Sequence, residues 1–359
     1  MSHNSSMTVR ETLQPKDIVF LQDETALYAC DFRALGDTSA AAVPWLWSYE
    51  NLLPWILENK FVTANDLAGD LKYDSPNRIL VLERGEDSRV SIFEKISPDF
   101  ISENNIKSLW VPVAHPQADL LAQRHNLRLN FNYSSLVSFN NKLSQKKLWG
   151  EATPRWREIS SPSDILEIRR NGERGLIKNS FGASGNKIFN IDESGKDFDE
   201  LFLKTPSGWF FEEYIKGVPH SIQCVSYPDR AQTIVFGFTR QLIAEGKRFV
   251  GSQILELDDL DSGLWRQLES AVKNLGPLMG GYEGFWGLDF IIQPSGQISV
   301  LEANIRMTAA TVPVLLALKR GWTRPQYLED IFPNDTKDDD VILTQDSFSG
   351  TVDVLRKAN

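Results

Sequence analysis

The sequence contains very little cysteine. Cys30 and Cys224 are the only two cysteines among its 359 residues, and they are far apart. Two such residues supply neither a disulfide framework nor a C-x-x-C redox or zinc motif. We therefore expect a reduced, cytoplasmic setting.

Long apolar runs and excess basic charge are also lacking. No apolar run reaches the roughly 18 residues that a membrane-spanning helix requires, and the first ten residues have no apolar signal-peptide region. The 38 lysines and arginines are outnumbered by 48 aspartates and glutamates, which gives a net charge of -10. Nucleic acids and anionic membranes attract basic surfaces, so we expect neither as a partner.

The chain is long enough for two or three domains. Buried strands are predicted over 17–22, 77–83 and 107–113, and apolar residues recur at helical spacing over 117–127. Strands that alternate with helices are typical of a parallel sheet. The first third is therefore predicted to be a small α/β domain.

A different pattern follows this domain. Its predicted elements are a helix over 139–150, a hairpin over 175–191, strands within 209–227 and over 233–242, a helix over 262–276, and strands over 283–292 and 297–306. The last two strands are joined by the tight turn 293–296. The stretch 334–350 is acidic and weakly patterned, so a peripheral tail or poorly ordered linker is expected there.

Two carboxylates interrupt the apolar residues of the last predicted hairpin. Asp289 and Glu302 lie on its neighbouring strands, and Asn304 shares a face with Glu302. A lone buried carboxylate costs roughly several kcal/mol unless it is paired or bound to a metal. Together the three residues offer hard oxygen ligands suited to Mg²⁺. The alternative is that the carboxylates lie on a solvated strand face or pair with an arginine such as Arg306.

The tip of the hairpin over 175–191 consists of small residues that could approach phosphate oxygens closely. Lys178 lies on the strand just before the loop that contains Gly182, Ala183, Ser184 and Gly185. The P-loop, the serine-hydrolase elbow and the dinucleotide fingerprint do not fit this sequence. On its own, such a loop is more often a simple turn.

The order of these motifs resembles the ATP-grasp superfamily, which includes D-alanine–D-alanine ligase and biotin carboxylase. The resemblance covers about 139–319 and is nearest to carboxylate–amine ligases of the peptide or natural-product kind. It implies an α/β protein, an ATP-grasp fold preceded by a small parallel-sheet domain. The implied parts are a pre-ATP-grasp domain (1–135), a small lobe (136–210), a large lobe (211–330) and an acidic tail (331–359).

The resemblance also implies roles for individual residues, with ATP and Mg²⁺ as cofactors and Mn²⁺ as a substitute metal. Asp289, Glu302 and Asn304 would hold the metal, and Glu212 would accept from the adenine amino group. The other implied nucleotide contacts are Lys142, Lys178, the loop of Ser180, Phe181, Gly182, Ala183, Ser184 and Gly185, and the hinge backbone of Glu213, Tyr214 and Ile215.

Two departures from the family pattern affect the remaining assignments. The acidic residue that often follows the hinge glycine is missing, and His220 is the candidate to bind the ribose instead. D-alanine ligases carry an arginine two residues before the first metal carboxylate, where this chain has Gly287. The cation that stabilises the reacting group is then expected to be Arg306 or Arg240, which with Lys178 make up the predicted catalytic set.

The implied reaction is the ATP-dependent joining of a carboxylate to an amine through an acyl phosphate. Small molecules, amino acids or short peptides, are the expected substrates, and a homo-oligomer is compatible with the sequence. Two alternatives are a nucleotide-binding regulatory protein without turnover and a ligase with a thiol or carboxyphosphate-type acceptor. Substrate specificity is expected to come from 45–55, Arg240 and the region of Lys247 and Arg248.

Overall fold

A computed structural model describes residues 7–10, 26–29, 60–64, 79–82, 92–111, 115–180, 188–191, 202, 207–227, 232–244, 248–276, 278–279, 281–337, 340–345 and 352–358. Strands and helices are numbered in chain order through these ranges. No helix within them is long and apolar enough to cross a membrane.

The first described strand, β1 (Met7–Arg10), belongs to a large sheet considered below. The next five strands form a parallel sheet in the order β4-β3-β2-β5-β6. They are β2 (Ala26–Ala29), β3 (Lys60–Ala64), β4 (Ile79–Leu82), β5 (Ser108–Trp110) and β6 (Arg128–Leu129). The helices of this part are α1 (Ile92–Lys95), α2 (Pro98–Glu103) and α3 (Pro116–His125).

This parallel sheet confirms the α/β class predicted for the first third. Strands β4 and β5 fall inside predicted strands and helix α3 overlaps the predicted helix over 117–127, whereas the sequence does not predict β2 and β3. The predicted strand over 17–22 and the region 45–55 lie outside the described residues. Leu121 of α3 packs in one core with Leu27 and Leu109, which is how the helix covers the sheet.

Two helices, α4 (Tyr133–Phe139) and α5 (Lys142–Trp149), connect this sheet to the rest of the protein. The sequence predicts a single helix over 139–150. The helix starts anew at Lys142 instead, because the side chain of Asn141 caps α5 and accepts from the backbone N–H groups of Leu143 and Ser144. Gly150 ends α5 with a φ of 54°, as predicted from its position.

A four-stranded antiparallel sheet follows, in the order β7-β10-β8-β9. Its strands are β7 (Trp156–Ile159), β8 (Gly175–Asn179), β9 (Ile188–Asn190) and β10 (Trp209–Glu213). Helix α6 (Pro162–Arg170) places Ile165 and Ile168 against Ile177 and Trp209 of the sheet. The predicted hairpin over 175–191 is confirmed by the pairing of β8 with β9.

The large sheet has nine strands and is antiparallel apart from β1, which pairs in parallel with β12. The other strands follow the order β15-β14-β11-β12-β13-β16-β18-β17. Their bounds are β11 (Val218–Tyr227), β12 (Gln232–Ala244), β13 (Arg248–Leu255), β14 (Gly284–Ile292), β15 (Ile298–Asn304), β16 (Gln326–Ile331), β17 (Val341–Gln345) and β18 (Val352–Arg356).

Two further helices are associated with this sheet, α7 (Ser262–Asn274) and α8 (Thr311–Arg320). Leu268 of α7 and Trp149 of α5 share a buried core with Trp286 and Phe290 of β14. Helix α5 therefore packs on the same sheet that carries the predicted metal ligands.

The acidic stretch near the C-terminus includes β17, the outermost strand of the large sheet, so its described part is peripheral but is not a poorly ordered linker. Strand β18 pairs with β16 on one side and with β17 on the other, so the chain end extends the large sheet. The guanidinium of Arg356 binds the Asp340 carboxylate, with an N–O distance of 2.7 Å. Paired acids of this kind let an acidic segment adopt regular structure that its weak apolar pattern does not indicate.

Candidate functional site

The predicted carboxylate pair lies on the hairpin formed by β14 and β15. Asp289 and Glu302 are direct cross-strand partners, next to a register irregularity between Asp289 and Phe290. The turn between the strands is closed by a 2.9 Å hydrogen bond from the N–H of Gly296 to the carbonyl of Gln293, with φ of 80° at the glycine. Cross-strand partners have Cβ atoms about 4.5–5.5 Å apart, so the two carboxylates share one face.

Asp289 is held by two amide donors. Gln241 Nε2 of β12 donates to Asp289 Oδ1 at 3.1 Å, and Asn304 Nδ2 donates to Asp289 Oδ2 at 3.0 Å. The oxygen of the same Asn304 amide accepts from Arg306 Nη1 at 2.9 Å. The structure therefore joins Arg306, Asn304 and Asp289 in one hydrogen-bonded chain, and it adds Gln241, which the sequence did not indicate.

The two carboxylates have opposite pKa shifts. Burial and the adjacent Glu302 charge raise the pKa of Asp289 to about 7. Burial alone would raise the pKa of Glu302, but the ammonium of Lys142, 2.9 Å from Glu302 Oε2, holds it below its usual value. Glu302 thus carries a negative charge near neutral pH, where Asp289 is only partly ionised.

The donor set of the hairpin fits a hard divalent cation. Two carboxylates and one amide oxygen are ligands that Mg²⁺ accepts. Within the described ranges no group of three or more acidic, histidine or cysteine side chains is clustered as a metal site. Asn304 would bind a metal after its amide rotates, because its oxygen faces Arg306 here.

A buried glutamine connects the N-terminal end of α5 to the hairpin. Gln145 Nε2 donates to the carbonyl of Ala303 at 2.7 Å, and the N–H of Ala303 donates to Gln145 Oε1 at 2.8 Å. Ala303 lies between Glu302 and Asn304, and Gln145 is one turn beyond Lys142 on the helix. This contact fixes Lys142 relative to the carboxylates, and nothing local in the sequence points to it.

A second charge cluster lies between α5, β8 and β10. The Glu212 carboxylate binds the ammonium of Lys178 through Oε1 and that of Lys146 through Oε2. Burial opposes ionisation of all three groups, yet the lysine charges lower the pKa of Glu212 and its carboxylate raises that of Lys178. Burial lowers the pKa of Lys146 despite the same carboxylate. Lys146 was not predicted; its signal is the spacing of four from Lys142 on one helix face.

The predicted phosphate loop is described only at its first residue. The carbonyl of Ser180 accepts from the N–H of Lys142 at 3.2 Å, and the N–H of Ser180 donates to the Gly208 carbonyl at 2.7 Å. The end of β8 is therefore tied to the start of α5. Phe181, Gly182, Ala183, Ser184 and Gly185 lie outside the described residues, as does Lys247.

The predicted hinge follows β10. The N–H of Glu213 donates to the Arg155 carbonyl at 2.9 Å, and that of Tyr214 donates to the Arg174 carbonyl at 3.0 Å. Two of the three N–H groups in the predicted hinge backbone thus have protein partners, and the contact of this backbone with the adenine ring stays a prediction. Tyr214 is 63% exposed.

His220 lies in an aromatic stack on the large sheet. Its ring centroid is 5.3 Å from that of Phe238 and 5.9 Å from that of Phe290, with interplanar angles of 20°. Burial lowers its pKa, and Nδ1 lies 2.8 Å from the Val218 carbonyl. A neutral imidazole that donates from Nδ1 presents Nε2 as an acceptor, which suits a ribose hydroxyl.

The predicted catalytic arginines occupy different places. Arg306 follows β15 and contacts the predicted metal ligand Asn304, whereas the exposed Arg240 lies on β12 in register with His220. The structure also explains why Gly287 replaces an arginine. A Cβ at this position would lie 2.6 Å from the Thr308 methyl carbon, so no side chain fits without a shift.

Comparison with known proteins identifies the domain that carries this site. Residues 139–310 match the family described as "ATP-grasp domain". The chain carries an ATP-grasp domain. The α/β fold with a preceding parallel sheet, expected from the resemblance, is confirmed. No curated protein matches the sequence.

Solved structures of this fold cover most of the chain. Biotin carboxylase from Campylobacter jejuni, in complex with β-γ-ATP, is 13% identical over 93% of this chain and 87% of its own, with a TM-score of 0.61. N5-carboxyaminoimidazole synthetase from Staphylococcus aureus, complexed with ADP, is 12% identical over 93% of each chain, with a TM-score of 0.60. L-amino acid ligase from Bacillus licheniformis is 15% identical over 80% of this chain and 68% of its own, with a TM-score of 0.52. At these identities the likeness shows the fold alone.

Proposed function

We propose that this chain is an ATP-dependent carboxylate–amine ligase that forms an amide or peptide bond and releases ADP and phosphate. The observation that carries the proposal is that lysine side chains lie close to a pair of carboxylates within an ATP-grasp domain. Lys142 and Lys178 supply cations, and Lys142 lies 2.9 Å from Glu302 of the carboxylate pair. A magnesium nucleotide has negative phosphate oxygens that could pair with the lysines and a metal ion that the carboxylates could bind.

The reaction requires little covalent chemistry from the protein. A carboxylate oxygen of the substrate attacks the γ-phosphorus, the bond to the ADP oxygen breaks, and an acyl phosphate forms. The amine then attacks the acyl carbon, phosphate leaves, and the nitrogen loses a proton to solvent. Positioning and charge neutralisation account for most catalysis of phosphoryl transfer.

The described side chains divide these tasks. Lys142 and Lys178 would bind the phosphates, and Asp289, Glu302 and Asn304 would hold Mg²⁺. When bound, the cation neutralises charge on the phosphate oxygens. Arg306, which reaches the same hairpin through Asn304, would stabilise the reacting acyl group.

A second candidate is favoured by the broad structural similarity to a biotin carboxylase and an N5-carboxyaminoimidazole synthetase. Here bicarbonate would replace the organic carboxylate and a carboxyphosphate would replace the acyl phosphate. The L-amino acid ligase supports the first candidate instead. We retain small-molecule substrates and a cytoplasmic setting as part of both candidates.

A coupled assay of ADP release tests the proposal. The purified protein is supplied with ATP, Mg²⁺ and pairs of amino acids or short dipeptides, with and without bicarbonate. Release that requires a carboxylate and an amine supports the ligase, and release that requires bicarbonate favours the second candidate. Glu302→Gln should abolish release, while Glu103→Gln, an exposed acid on α2, should not. Nucleotide binding without ADP release under any condition would refute both and indicate a regulatory protein.

A further inference from the structure

The Glu212 carboxylate is enclosed between two ammonium groups. Glu212 is 2% exposed and Lys146 is 1% exposed, and each carboxylate oxygen contacts a different lysine. Two cations and one anion leave a net charge of +1 in a site that is largely closed to water. In such surroundings one unit of charge has a far larger effect on a nearby anion than it has in bulk water.

The two lysines differ in what else they can reach. The Lys178 side chain is 13% exposed, on the strand that leads into the predicted phosphate loop. Lys146 lies behind the carboxylate, with Nζ 2.9 Å from Thr153 Oγ1 and 5.6 Å from the centre of the Phe210 ring. Of the two lysines, Lys178 is therefore the one placed to meet a ligand, because Lys146 has a side chain only 1% exposed.

Burial of an ammonium group is costly, and packing alone does not explain Lys146. A buried ion pair is often no more stable than well-packed apolar residues of the same volume. Leucine or methionine at this position, beside the Phe210 ring, would fill a similar space. Glu212 would then be paired with Lys178 alone, and the cluster would have no net charge.

We infer that Lys146 is a positioning residue for phosphate recognition: it neutralises Glu212, so that the positive charge of Lys178 remains available to the polyphosphate of a nucleotide. The inference rests on the proposed nucleotide site and adds to it a residue that touches neither nucleotide nor metal. Its ligand class is a nucleoside di- or triphosphate, because an uncharged nucleoside gains nothing from the net charge.

Three variants separate charge from shape. Lys146→Met leaves a net charge of zero, Glu212→Gln leaves +2, and the double variant restores +1. The measured quantity is the ratio of the adenosine dissociation constant to the ADP dissociation constant, obtained by calorimetry or competition. This ratio isolates the contribution of the phosphates, since any change at the adenine end affects both ligands. Lys147→Met is the matched control, because Lys147 is the next residue on the helix and its side chain is 63% exposed.

For Lys146→Met we expect the ratio to fall about tenfold, which corresponds to one unit of charge at short range in a partly screened site. The double variant should regain most of the loss, and Lys147→Met should match the wild type within about twofold. An unchanged ratio in Lys146→Met overturns the inference, as does a loss that the double variant fails to restore.

A folding failure of Lys146→Met does not block the test. Glu212→Gln and the double variant bury no uncompensated carboxylate and differ only at residue 146. The ratio of the two dissociation constants must therefore be higher in Glu212→Gln than in the double variant. Equal ratios refute the inference. Wild-type protein that binds neither adenosine nor ADP refutes the nucleotide site itself, which distinguishes that failure from an error about Lys146.

Discussion

Replacement of Asp289 by asparagine is expected to stabilise the metal-free protein while it abolishes activity. The unfolded chain ionises this aspartate near its ordinary pKa of 3.8, whereas burial and Glu302 raise the folded value to about 7. The folded state is therefore penalised as the pH rises above 3.8, and the penalty is complete above the folded pKa. The wild-type protein should carry this penalty in full at about pH 8.5.

The size of the effect follows from the shift. About three pKa units at 1.36 kcal/mol each give an upper bound of about 4 kcal/mol. Asparagine keeps the shape but presents an amide hydrogen towards one of the two donors, Gln241 or Asn304, which removes a hydrogen bond worth about 1 kcal/mol. Asp289 is also partly exposed, which reduces the penalty further. We expect a net gain of about 1–3 kcal/mol.

Thermal unfolding at about pH 8.5 in a chelator measures this gain, and the same melt with Mg²⁺ and ADP measures the response to the ligand. Asp289→Asn should melt above the wild type in the chelator and lose most of the ligand-dependent rise. Glu103→Gln removes an exposed carboxylate and should do neither. A variant that melts below the wild type in the chelator would show that ionised Asp289 does not destabilise the metal-free protein. A variant that keeps the full ligand-dependent rise would show that Asp289 is not a metal ligand.

Three further predictions concern the residues around this pair. Gln145→Leu should lower activity even at temperatures at which the variant is folded, because it removes both hydrogen bonds that hold Ala303 between Glu302 and Asn304. Steady-state rates measure this loss, with Gln267→Leu on α7 as the control. Gly287→Ala should destabilise the protein by about 1–3 kcal/mol, measured by denaturant unfolding, since Thr308 is fixed by Gln223 and cannot yield. Binding of Mg²⁺ should release up to about half a proton near pH 7 and almost none near pH 9, because Asp289 is partly protonated only at the lower value. Calorimetry in buffers of different ionisation enthalpy measures this release, which Asp289→Asn should lack, and equal release at both pH values would contradict the assignment.

The sequence predicted the parts of the site that depend on neighbours along the chain. The β14–β15 hairpin has two apolar strands with a carboxylate in each, and a turn that ends at Gly296. These features set the register that places Asp289 opposite Glu302. The end of α5 at Gly150 is encoded in the same local way, since a φ of 54° suits glycine.

Contacts between distant segments could not be predicted in this manner. The bonds of Gln145 to Ala303 join residues 158 positions apart, and a glutamine on a helix has no apolar period that marks it as buried. The pairing of β1 with β12 likewise depends on how two separate units meet. Lys146 resembles an exposed helical lysine until the tertiary fold places Glu212 against it.

The ion pairs of the site explain how its charged groups can lie close together without a ligand and still favour the binding of one. Lys142, at the start of α5, pairs with Glu302 of the large sheet, while Lys178, on the smaller sheet, pairs with Glu212. Without a ligand, each of these four groups thus has a partner of opposite charge, which avoids the cost of an isolated buried charge. In the proposed site a magnesium nucleotide would offer phosphate oxygens to Lys142 and a cation to Glu302, so both would exchange one partner for another. Asp289 gains most from that exchange, because it is the carboxylate whose ionisation the ligand-free protein opposes.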